Sequence, residues 1–273
     1  MSLMFATRNP TVDETRHIRA LLSTFRDGSG NQRESDGTTR ASWREIERCI
    51  AEVVFGPASE DKHIFDVIAP DDLNPNVFYG LSIKSKQLSR KNFLALPTIG
   101  RTYMEIANSP AKFWDDVRLS HGHTEREFSR MEYPGLIGDT VLASVRKWHL
   151  EGKKNFEKAK PGRVLDLNNS RYVCVSYSNE TDPSERLYQI HSFALDYPIS
   201  IKWAYKSDRC LSGCDPHHPS ESLFDWYGSS GGQLKYYPRA ATALYKSEVF
   251  KMLVPPSKLT LTDKAKVYFP KEF

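Results

Sequence analysis

Apolar positions along this chain alternate between two spacings, near 3.6 residues where a helix buries one face and two where a strand does. Ile18, Leu21, Leu22 and Phe25 make a helical stripe across residues 11–26, closed by Asp27-Gly28-Ser29-Gly30 and a polar loop through Gly37. Trp43, Ile46, Ile50, Val53 and Val54 repeat the pattern after Ser42, a suitable N-cap, and this helix ends near Gly56-Pro57. Residues 62–68 and 77–84 then read as short strands, parted by the turn formers of residues 70–76. The spacing predicts a short helix over 102–107, another over 110–119 opened by Ser109-Pro110, and a longer one over 139–151. The last of these runs into the basic segment 152–160, either a solvated helix end or a phosphate contact. Beyond it the pattern becomes β, with strands over 171–177, 187–193 and 199–205. A final helix is predicted over 240–253, stopped by Pro255-Pro256. The expected fold class is α/β: a mixed sheet flanked by helices, β-rich toward the C-terminus, in one domain over residues 1–273.

The pair of strands after the second helix carries the most specific chemistry. Antiparallel pairing sets Asp66 beside Ser82 and Lys84, which share a face because they are two apart. A carboxylate, a hydroxyl and an ammonium so placed can hold Mg²⁺ and orient water at a phosphodiester. Turning about 100° per residue brings Glu47 beside Trp43, Ile50 and Val54 at the edge of the apolar stripe, and puts Glu45 and Glu52 on the solvated face. A core-facing carboxylate needs a partner, here a metal shared with Asp66 or a buried arginine. Glu105 on the predicted 102–107 helix is either one more ligand or a surface residue.

Asp66, Ser82 and Lys84 resemble the motif of the PD-(D/E)XK nucleases, the superfamily that includes type II restriction endonucleases. There an acid near a strand end precedes an acid-x-Lys motif on the next strand, often with a Glu on the preceding helix. Ser82 departs from that pattern; in relatives with this departure a carboxylate from a later helix compensates, and Glu105 would take that place. The likeness spans roughly residues 40–120. It implies a restriction-endonuclease-like core there and Mg²⁺-dependent, sequence-specific hydrolysis of double-stranded DNA. The catalytic residues would be Asp66, Ser82, Lys84 and Glu47, and the metal ligands Asp66, Glu47 and Glu105. It also implies a homodimer, because cutting both strands of a symmetric site takes two centres related by a twofold axis.

A net charge of +4 is compatible with nucleic acid without singling it out. Basic and aromatic residues crowd segment 203–239 around Gly228-Ser229-Ser230-Gly231-Gly232, so recognition elements are expected over about 165–240. Lys86, Lys206, Arg209, Lys235, Tyr236 and Arg239 are the expected DNA contacts. The four cysteines do not suggest a disulfide framework in a chain this long. Cys210, Cys214, His217 and His218 form either a zinc loop or a reduced polar one, and His121-Gly122-His123 a solvated or backbone-contacting pair. With no apolar run of membrane-spanning length and no signal-peptide core, a soluble cytoplasmic protein is expected.

Rival motifs are weaker. Asp71 of Pro70-Asp71 falls in a turn, Ser200-Ile201-Lys202 lacks a strand-borne acid upstream, and extended chain follows the Gly-x-Ser-x-Gly match at 228–232. Two alternative functions stay open. One is a non-catalytic DNA-binding protein in which Asp66 and Lys84 only pair; the other is a metal-dependent nuclease acting on RNA or branched DNA.

Overall fold

A computed structural model describes residues 3–55, 64–198, 200–255 and 261–273. In chain order the elements are α1 (Val12–Thr24), β1 (Gln32–Arg33), β2 (Thr39–Arg40), α2 (Trp43–Val53), β3 (Val67–Pro70), β4 (Val77–Ser89), α3 (Arg90–Leu94), β5 (Met104–Asn108), α4 (Pro110–His121), α5 (Glu125–Ser129) and α6 (Pro134–Ala159). There follow β6 (Val164–Leu165), β7 (Arg171–Asn179), β8 (Leu187–Ala194), β9 (Lys202–Ser207), β10 (Cys210–Cys214), β11 (Ser222–Trp226), β12 (Gln233–Tyr236), β13 (Tyr245–Lys246), β14 (Phe250–Lys251) and α7 (Leu261–Tyr268).

The fold is α/β with a mixed sheet flanked by helices. Strands run β13-β8-β7-β4-β3 across a seven-stranded sheet, with β14 also on β8 and β6 on β4. Strand β4 pairs antiparallel with β3 and parallel with β7, so the chain must cross over between β4 and β7. That crossover contains the 26-residue helix α6.

Alternation along β4 splits the core in two. Leu81 and Ile83 join Val67, Val173, Val175 and Ile190 against Ile18 and Leu22 of α1 and Ile46 and Ile50 of α2. On the opposite face Phe78, Tyr172 and Cys174 meet Phe113 of α4, Val141 and Val145 of α6, and Phe224 and Trp226 of the second sheet. That second sheet is antiparallel, five-stranded and ordered β5-β12-β11-β10-β9. Each large apolar side chain buried this way contributes about 1.5–3 kcal/mol. Among the described residues no helix is long and apolar enough to cross a membrane.

Several expectations change. Residues 104–108 form a strand, not a helix: Met104 and Ile106 are buried while Glu105 and Ala107 are half-buried, and the strand pairs with β12. The helix-forming tendencies of Met, Glu and Ala yield to that pairing. Residues 240–253 hold a short 3₁₀ turn and strands β13 and β14, because Tyr245 and Phe250 pair with β8. Helix α6 starts five residues earlier than expected and takes in most of the basic segment. The third C-terminal strand begins at Lys202, and Lys62, His63, Gly56 and Pro57 lie outside the described residues. In α2, Trp43 is exposed and Glu45 is buried, the reverse of expectation. Glu45 closes a capping box with Ser42, its carboxylate accepting from the Ser42 N–H at 2.5 Å.

Candidate functional site

The β3–β4 register sets Val67 opposite Leu81, so Asp66, one residue before β3, lies opposite Ser82. The Asp66 N–H donates to the Leu81 carbonyl at 3.0 Å and fixes the start of the pair. Three donors from β4 then converge on Asp66 Oδ2: Lys84 Nζ at 2.8 Å, the Ile83 N–H at 2.6 Å and Ser82 Oγ at 3.4 Å. Ser82 is buried, whereas about a quarter of the Asp66 and Lys84 side chains reaches solvent. The sequence thus placed this trio correctly.

Behind the trio, Tyr172 of β7 is in register with Ser82. Its hydroxyl meets Tyr197 Oη at 2.5 Å and His149 Nε2 at 3.4 Å in a buried chain. Burial pushes the His149 imidazole down to about 4, so it sits neutral against Phe65.

Asp66, Ser82 and Lys84 floor an open cleft of about 430 Å³ where the two sheets meet. Its walls come from β5 (Glu105 to Asn108), Lys112 of α4, and Trp148, Glu151 and Asn155 of α6. Glu105 reaches the cleft as expected, though from a strand, and accepts from Asn108 Nδ2 at 3.1 Å. Glu151 was missed. Its signal was its spacing, three residues after Trp148 and four before Asn155 on one helix face.

Glu47 arrives from α2 on the other side of the sheet and is half-buried. Its carboxyl is pushed up to about 7, first by burial and then by the negative charge of Asp66; Lys84 and Arg44 act the other way. Glu47 is therefore within electrostatic reach of the trio. Among the described residues no three His, Cys, Asp or Glu side chains are already gathered closely enough to hold a metal ion. The donor set nevertheless suits a hard cation: the cleft holds the carboxylates of Asp66, Glu105 and Glu151, and a fourth carboxyl, that of Glu47, has its proton held more tightly by burial and by the field of Asp66.

The expected DNA contacts divide. Lys86 places its ammonium 4.2 Å from the centre of the Tyr103 ring; Lys235 lies 5.6 Å from that centre and 4.1 Å from that of Tyr227. Lys206 is bonded to Asp225 at 2.8 and 3.0 Å, Arg239 to Glu221 at 3.0 Å, and Arg209 is exposed beside the β9–β10 turn. Tyr236 is no contact residue: it is buried, 4.9 Å from Phe224 in a parallel stack. Strand alternation turns it inward as it turns Lys235 outward.

Other motifs resolve into structural roles. Cys210 and Cys214 are the two ends of β10, roughly 13 Å apart by strand rise, and cannot share a zinc ion. Asp71 caps its turn, accepting from the Leu73 and Asn74 N–H groups at 2.8 Å. Residues 228–232 join strand β11 to strand β12, so no nucleophile elbow forms. His123 stacks on Tyr133 with ring centres 4.2 Å apart. No protein-family model matches the chain, and no curated protein or solved structure matches it either.

Proposed function

We propose that the protein is a Mg²⁺-dependent endonuclease that hydrolyses phosphodiester bonds in double-stranded DNA at specific sequences, in the manner of type II restriction enzymes. The observation that carries the reading is the convergence of Lys84, Ser82 and the Ile83 N–H on one oxygen of Asp66 at the floor of an open, carboxylate-lined cleft. A PD-(D/E)XK-like site needs this juxtaposition, and a purely structural ion pair has no need of the surrounding carboxylates.

Asp66 would hold the cation with Glu47 or Glu105 completing the set, and Glu151 is within the same cleft. Mg²⁺ there would neutralise the phosphodiester oxygens and acidify water. Lys84 is, among the described residues, the cationic side chain paired with Asp66, so its ammonium positions the attacking water and faces the charge that develops on the phosphoryl oxygens. Ser82 donates a hydroxyl hydrogen bond but adds no charge, which leaves Glu105 or Glu151 to supply the carboxylate that the Ser82 position lacks. A twofold-symmetric dimer would deliver two such centres to the two DNA strands.

The 2.8 Å pairing of Asp66 with Lys84 favours one second reading, a DNA-binding protein in which this pair is structural. Plasmid DNA incubated with Mg²⁺ or with EDTA separates the two. The nuclease reading expects discrete fragments only with Mg²⁺, and a loss of roughly 10²–10⁴-fold in rate for Asp66→Ala or Lys84→Ala with DNA binding retained. Full cleavage by either variant contradicts it.

A further inference from the structure

Lys84 and Lys86 lie two apart on one face of β4, so their Cα atoms are separated by about 7 Å, comparable to the step between neighbouring phosphates of one nucleic acid strand. Lys86 does not act alone. Its ammonium shares the Tyr103 ring with that of Lys235, which reaches across from β12 in the other sheet and also covers Tyr227. Tyr103 is held at this junction by neighbours on both sides: its carbonyl accepts from Cys174 Sγ at 3.6 Å, and its ring meets that of Tyr237 at 5.3 Å.

Lys84 and Lys206 are each bonded to a carboxylate, but among the described residues neither Lys86 nor Lys235 has such a partner. Lys235 even has Glu105 as its Cα partner on β5, yet its ammonium turns to the two rings. Two ammonium groups gathered at one ring, with no carboxylate partner among the described residues, favour an anion bound beside them. Both lysines are half-buried beside these rings, so part of each side chain stays in contact with solvent.

We infer that Lys86, Lys235 and the Tyr103 ring form a single seat for one backbone phosphate of double-stranded DNA, the neighbour of the phosphate presented to Asp66 and Lys84. The choice of DNA as source rests on the nuclease reading; the seat itself does not. Its role is to set the register of the strand in the cleft.

The test is fluorescence anisotropy with a labelled duplex in EDTA, so that binding is read without cleavage, over a series of salt concentrations. One shared seat predicts that Lys86→Gln and Lys235→Gln each weaken binding about tenfold. The double variant should lower the salt slope by about one in total, because one phosphate contact is lost. Lys86→Arg with Lys235→Arg should restore the slope. Tyr103→Leu should behave like the double glutamine variant and Tyr103→Phe like the wild type.

An unchanged slope, or a loss near two that marks independent contacts, would overturn the inference. So would inorganic tripolyphosphate competing as well as duplex at equal phosphate concentration, or a wild-type protein without salt-sensitive duplex binding. Failure here is distinct from failure of the nuclease reading. A protein that shows the predicted slopes but never cuts with Mg²⁺ keeps the seat and loses the catalysis, whereas one that cuts with unchanged slopes does the opposite.

Discussion

Glu47 sits in an environment unlike that of an ordinary surface glutamate, half-buried and facing the negative charge of Asp66. Its carboxyl titrates near 7 in the folded chain, against an ordinary value near 4.5, so the folded state holds the proton more tightly than the unfolded state does. Its ionisation therefore costs stability as pH rises from about 4.5 to about 7, and the full cost stands above that range. Glu47→Gln removes the cost. In EDTA it should stabilise the protein by about 1–2 kcal/mol near pH 8, after discounting for solvent screening of a half-exposed group, and change little near pH 5. Thermal melts at the two pH values check this; equal shifts at both would refute the assignment. A cation drawing on the Glu47 carboxylate must displace that proton, so apparent Mg²⁺ affinity should rise through pH 7 in the wild type and lose that dependence in the glutamine variant.

Strands β3 and β4 show how an element places chemistry. Gly80 lies two residues before Ser82, and a Cβ there would come within 2.5 Å of the Phe65 ring. Phe65 is the residue before Asp66 and packs against His149 of α6. Gly80→Ala should push Phe65 aside, cost about 1–3 kcal/mol of stability and lower cleavage more than the stability loss explains, because Asp66 moves with its neighbour. A stable variant with wild-type rate would contradict that coupling. The Asp66–Ser82–Lys84 trio was legible because period-two alternation and a turn-rich connection fix both face and register. The faces of α2 were less so: the local Ser42–Glu45 capping box holds Glu45 inward while Trp43 stays exposed, and helical periodicity alone encodes neither. Strand β5 looked helical because three of its five residues, Met104, Glu105 and Ala107, are good helix formers, and pairing with β12, more than a hundred residues away, makes it a strand.

Across the whole molecule, the cleft exists because two sheets meet. The mixed sheet supplies Asp66, Ser82 and Lys84; the antiparallel sheet brings Glu105 through β5; α6, crossing between β4 and β7, brings Glu151. That assembly is non-local: helical spacing marks the face that carries Glu151, but neither the cleft this face lines nor the shared Tyr103 ring is encoded by spacing, whereas the two-strand motif is. The same layering puts Glu47 on the far face, so the proposed metal set draws on both sides of one sheet. Diffraction from crystals soaked in Mn²⁺, with anomalous signal recorded for wild type and Asp66→Asn, tests this most directly. The wild type should show a peak within about 2.5 Å of an Asp66 carboxylate oxygen, lost in the variant. A peak elsewhere, or one that survives the substitution, would contradict it.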